Sequence, residues 1–64
     1  MNQVEIGAYI AQERIKQGMT HYRLSKISGI TQRHLKMIEN GKYDVRVSTL
    51  QIILKALNKK LLIQ

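Results

Sequence analysis

The chain has 64 residues, enough for one domain, and a chain this short buries only about 60% of its extended surface, so it gains much stability from a partner subunit. It has no cysteine, which excludes disulfides and thiolate metal sites and fits a reducing cytosol. Eleven lysines and arginines against four acidic residues give a net charge of +7, and such a field attracts polyanions, nucleic acid before anionic membrane.

The N-terminal residues and the hydropathy pattern indicate where the protein works. Residues 1–10 contain Glu5 and no basic stretch, so no secretory signal is predicted. No apolar run approaches the roughly 20 residues that span a bilayer. We therefore predict a cytoplasmic protein that does not enter a membrane.

The first predicted helix covers residues 3–17. Asn2 and Glu5 have the spacing of a capping box, and Gly18 supplies the stop. The apolar seam of this helix is predicted to consist of Ile6 and Ile10, with Tyr9 beside them as a core residue.

Two further helices are predicted over residues 21–28 and 32–40. Their N-caps and stops are Thr20 and Gly29 for the earlier helix, and Thr31 and Gly41 for the later one. The connection between them has only three residues and contains a glycine. Such a turn makes two helices cross steeply, as in a helix-turn-helix.

The helix over residues 32–40 has two faces of different chemistry. At about 100° per residue, the inward side comprises Thr31, Leu35, Ile38 and Glu39. The outward side comprises Arg33, Lys36, Met37 and Asn40, with Gln32 at its leading edge. Glutamine and arginine side chains can pair bidentately with base edges, and the major groove of DNA is wide enough for a helix. The pattern therefore favours duplex DNA as the target of this face.

The fourth helix is predicted over residues 49–57. Ser48 and Gln51 have capping-box spacing, and Asn58 supplies the stop. Val47 and Ile52 have the spacing of a hydrophobic staple. The apolar seam comprises Leu50, Ile53, Leu54 and Leu57. Together the four helices predict an all-α fold in which local signals agree with one another.

A short tail, residues 59–64, follows the predicted domain of residues 1–58. Leu61, Leu62 and Ile63 are three consecutive large aliphatic residues, which favours their burial. The tail could close the monomer core as a fifth short element, or form a strand that pairs with its copy across a dimer axis. A frayed tail with Leu61 tucked in is the third interpretation.

From residue 6 to residue 57 the sequence resembles a compact four-helix lambda-repressor-like helix-turn-helix domain of the Cro/repressor (XRE) type. The residues that carry the resemblance are Ile10, Arg14, Gly18-Met19-Thr20, Leu24-Ser25, Gly29-Ile30-Thr31, Leu35, Ile38-Glu39-Asn40-Gly41-Lys42, Leu50, Ile53 and Ala56-Leu57. Two positions depart from the family pattern. Ser25 replaces the usual small alanine, and His21 stands where many members have glutamine.

The resemblance implies DNA binding as a homodimer, with the helix over residues 32–40 in the major groove. Carried over by position, the residues expected to read bases are Gln32, Arg33 and Lys36. The residues expected to contact the DNA backbone, which fixes register and orientation, are His21, Asn40, Lys42 and Arg46.

An ion pair between Arg14 and Glu39 is also expected. Glu39 lies on the inward arc of a helix that otherwise shows cations, and a carboxylate that faced DNA would repel phosphate. In the family that the sequence resembles, these two positions form a semi-buried pair. Its role would be to fix the third helix against the first, because desolvation offsets much of the Coulomb attraction.

The function expected from these features is that of a sequence-specific transcriptional regulator, a repressor that binds a pseudo-palindromic operator as a dimer. The alternative is an antitoxin that binds a protein toxin and regulates its own operon, because residues 61–63 resemble the dimerising strand of HipB-like antitoxins. The histidines, serines and acids form no catalytic or metal-binding pattern, so we predict no enzyme activity, metal or cofactor.

Overall fold

Four helices follow one another in the computed structural model, which describes residues 2–59. Their bounds are Gln3–Lys16 for α1, His21–Ser28 for α2, Gln32–Glu39 for α3 and Val47–Ala56 for α4. The helices of the described residues form a globule with a radius of gyration of 10.5 Å. The predicted all-α fold is confirmed, whereas Leu61, Leu62 and Ile63 lie outside the described residues.

The predicted starts of α1, α2 and α3 are confirmed by hydrogen bonds. The Asn2 side chain accepts from the Glu5 backbone N–H at 2.8 Å, and the Glu5 carboxylate accepts from the Asn2 N–H at 3.1 Å, which completes the capping box. Thr20 and Thr31 each accept from the backbone N–H three residues on, at 3.0 and 3.1 Å. The four predicted stops, all with positive φ, are Gly18, Gly29, Gly41 and Asn58.

The predicted start of α4 is wrong by two residues. The helix begins at Val47, with Arg46 at the N-cap position and no side-chain cap, so the capping box of Ser48 and Gln51 does not form. Instead, Val45 and Leu50 occupy the two positions of a hydrophobic staple around Arg46, and both are buried in the core. Burial of these two side chains therefore sets the start of the helix, and the local preference of Ser48 does not.

The predicted staple of Val47 and Ile52 is also wrong. Their side chains are 55% and 48% exposed, because the helix starts two residues earlier than expected.

The core collects apolar side chains from all four helices and from the loop before α4. Its buried members are Ile10, Leu24, Leu35, Ile38, Val45, Leu50, Ile53, Leu54 and Leu57. This confirms the seams predicted for α3 and α4. Tyr9 is a correction, because it lies on the flank of α1 and its side chain is 38% exposed. A tyrosine at the rim of a core can keep its hydroxyl in water while its ring covers apolar neighbours.

The α1 helix approaches the end of α3 closely enough for their backbones to touch. Gly7 of α1 is buried, and a Cβ added there would overlap the carbonyl oxygen of Ile38 and lie 2.9 Å from that of Glu39. The Gln3 side chain donates to the carbonyl oxygen of Gly41 at 2.8 Å, just past the end of α3. These contacts position α3, and no local pattern in the sequence predicts them.

Candidate nucleic-acid interface

The α3 helix is held by one face and displays the other. Its inward residues Leu35 and Ile38 are 0% and 1% exposed. The opposite face is therefore turned to solvent, and its exposed side chains are Gln32, Arg33, Lys36, Met37 and, at the C-cap, Asn40. The structure thus brings the three predicted base-reading residues onto one exposed helix surface.

This outward face carries amide and cationic donors without a competing acid. The only acidic residue of α3 is Glu39, whose side chain is 7% exposed and is turned toward α1 and α2. Arginine presents a planar fork of donors that matches guanine O6 and N7, and glutamine matches adenine N6 and N7. The face can therefore approach a polyanion and form hydrogen bonds to base edges.

An apolar depression of about 220 Å³ borders the same face. It is lined by Thr31, Arg33, His34, Met37 and Tyr43. Two of these residues, His34 and Tyr43, form an edge-to-face ring contact with centroids 4.4 Å apart. Met37 is 37% exposed at its edge. Met37 received no role from the sequence, although its exposure next to Arg33 makes it an apolar contact surface on a polar face.

A buried ion pair fixes the end of α3 to α1. Arg14 donates from Nε to Oε2 of Glu39 at 2.8 Å and from Nη2 to Oε1 at 3.1 Å, so the pairing is bidentate. The third guanidinium nitrogen, Nη1, donates to the carbonyl oxygen of Met19 at 2.8 Å. The two side chains are 12% and 7% exposed. Arg14 therefore links α1, the loop before α2 and α3 through one side chain.

His21, expected at the DNA backbone, begins α2 directly after its N-cap. Its Nε2 lies 3.0 Å from Oε1 of Glu39, and its side chain is 25% exposed. Sequence reasoning missed this contact because His21 and Glu39 lie on different helices, 18 residues apart. The one signal in the sequence was a histidine at a position where many members of the resembled family have glutamine.

The remaining predicted backbone contacts surround the C-terminal end of α3. Asn40, Lys42 and Arg46 are all exposed, in the segment that leads from α3 to α4. Within residues 2–59, neither Lys42 nor Arg46 forms an ion pair. The cations of this segment are therefore available to an anionic partner beside α3.

Comparison with known proteins agrees with this geometry. A family model described as helix-turn-helix matches residues 10–63, which include α2, the turn, α3 and α4. No curated protein matches the chain. Among the described residues, no helix is both long and apolar enough to cross a membrane.

Proposed function

Because the chain belongs to the Cro/repressor (XRE) family of DNA-binding helix-turn-helix regulators, we propose that it binds a pseudo-palindromic operator as a homodimer and represses transcription by occupying it. The observation that supports this most directly is the outward face of α3. It is cationic, exposed and free of acids, and its opposite side is locked into the core. A face so constrained suits the DNA major groove.

In this proposal Gln32, Arg33 and Lys36 read base edges. Met37 adds an apolar contact of the kind that recognises a thymine methyl group. Backbone contacts that fix the register come from His21, Asn40, Lys42 and Arg46. Two copies of α3 then enter half-sites about one helical turn, or roughly 34 Å, apart.

Dimerisation is assigned to Leu61, Leu62 and Ile63, which lie outside the described residues. Three adjacent aliphatic side chains are better buried against a copy than left in water.

Selection of bound duplexes from random DNA tests the proposal. It is performed at about 150 mM salt, which suppresses the sequence-independent electrostatic attraction. A two-fold-symmetric motif is expected. Arg33→Ala should relax the motif, whereas Lys55→Ala should leave it unchanged, since Lys55 is an exposed cation of α4 outside the α3 face. Binding without an enriched motif would contradict sequence-specific regulation, and capture of a toxin partner would then become the experiment for the antitoxin role.

A further inference from the structure

One buried carboxylate holds side chains from two other helices. Oε1 of Glu39 lies 3.1 Å from Nη2 of Arg14 on α1 and 3.0 Å from Nε2 of His21 on α2. Arg14 also occupies Oε2 at 2.8 Å. Arg14 alone would complete the ion pair. The ion pair therefore does not explain why His21 also contacts Glu39.

The chemistry of this contact determines which ring nitrogen of His21 carries a proton. An ionised carboxylate only accepts hydrogen bonds, so Nε2 must be the donor to Glu39. In a neutral imidazole the other nitrogen, Nδ1, is then an acceptor without a proton. Among residues 2–59, Nδ1 has no hydrogen-bond partner, and this atom is not fully buried. It is therefore accessible at the surface of a side chain that is 25% exposed.

A DNA phosphate also only accepts hydrogen bonds. A ring that bridges Glu39 and a phosphate must therefore donate from both nitrogens, which only the imidazolium form can do. We propose that Glu39 is a positioning residue that engages Nε2–H of His21 and leaves Nδ1 for a DNA phosphate, so that operator binding takes up one proton at His21. The inference rests on the proposed function, and it makes the DNA affinity of the same interface depend on pH.

The charges around His21 are consistent with this step. Glu39 of α3 faces the ring directly, and Arg14 of α1 pairs with both oxygens of that carboxylate. On α2 itself, Arg23 and Lys26 follow the histidine, and both are exposed. An arriving phosphate adds a negative charge, which offsets the repulsion among these cations. The other histidine, His34, packs against Tyr43 and is not part of this cluster.

The test measures the dissociation constant for the selected operator at constant ionic strength, from about pH 5 to about pH 8, where histidine changes its charge. Affinity should fall as the pH rises, with a limiting slope of about tenfold per pH unit for one proton. His21→Gln should bind with an affinity that is flat over this range, because the amide donates to Glu39 without titrating. His34→Gln should keep the slope of the unaltered chain. Circular dichroism at each pH checks that every variant is folded.

Calorimetry of operator binding in two buffers of different ionisation enthalpy counts the protons directly and needs no variant. Proton uptake on binding is expected. A specific operator bound with no pH dependence and no proton uptake would overturn this inference alone, as would a slope that persists in His21→Gln or disappears in His34→Gln. A chain that selects no operator would overturn the proposed function, and this inference would fall with it.

Discussion

At the scale of single residues, the Glu39 carboxylate is contacted by side chains from two other helices. It is 7% exposed and is bonded by Arg14 and His21. A buried carboxylate tolerates such a position only when its oxygens are satisfied. Its partners come from α1 and α2, so the ion pair fixes the relative positions of three helices, including the one that carries the proposed reading face.

Arg14→Ala should lower the free energy of unfolding by about 3–5 kcal/mol, because it leaves a buried carboxylate with only His21 as a partner. Urea denaturation of the variant measures this loss. The matched control is the double variant Arg14→Met and Glu39→Met, which removes both charges and should be destabilised less than Arg14→Ala. A double variant that is the less stable of the two would show that the pair itself contributes net stability.

Arg33 and Lys42 separate sequence reading from general attraction. Arg33 lies on the outward face of α3, whereas Lys42 follows its end. Arg33→Ala should cost about 1–3 kcal/mol of discrimination at one base pair, with little loss of fold. Lys42→Ala should weaken binding to all sequences and reduce the salt slope by about one unit. Competition binding with matched and mismatched duplexes at several salt concentrations measures both effects, and an unchanged preference in Arg33→Ala would refute the assigned reading face.

At the scale of helices, the helix ends that depend on local chemistry were predictable from the sequence. The close contacts between helices were not. The cap at Thr31, whose hydroxyl accepts from the backbone N–H of His34, and the positive φ of Asn58 each depend on only a few adjacent residues. The start of α4 depends on the burial of Val45, which the sequence of the seven-residue loop between α3 and α4 does not reveal. The contact of Gly7 with α3 depends on how two distant helices cross, and Gly7 carries no local signal beyond its small size.

The sign of the change in the free energy of unfolding caused by Gly7→Ala tests that contact. In an unobstructed helix, glycine to alanine stabilises by about 0.5–1 kcal/mol. At Gly7 the added methyl would overlap the Ile38 carbonyl, which is backbone and cannot rotate away. We expect a destabilisation of about 1–3 kcal/mol, as for other overpacked sites, measured by urea denaturation. A stabilised Gly7→Ala variant would show that α1 and α3 lie further apart in solution.

At the scale of the whole molecule, the net charge of +7 affects association with partners, whereas the small core determines the fold. The charge raises the rate of encounter with any polyanion but cannot select a sequence. The predicted core seams were sufficient for the fold class, since Leu35, Ile38, Ile53 and Leu57 are all buried. The base-reading, backbone and dimerisation roles stay predictions, because they belong to complexes with DNA or with a second copy.

Removal of residues 61–64 should weaken dimerisation without unfolding residues 2–59, because the nine buried apolar side chains of the described structure all come from residues 10–57. Sedimentation equilibrium over a range of concentrations measures the dimer constant, and circular dichroism reports the helices. A truncated chain that dimerises unchanged would assign the interface to another surface. A truncated chain that unfolds would assign the tail to the monomer core.

The contact between Gly7 and the end of α3 also bears on how new specificities can arise. That contact is made to main-chain carbonyl oxygens, and the Gln3 bond likewise reaches a backbone atom. Such contacts do not depend on which side chains α3 carries on its outward face. The outward positions of α3 can therefore be exchanged, by drift or by engineering, while the angle at which the helix is presented stays the same. The same scaffold can therefore present α3 helices with different recognition residues.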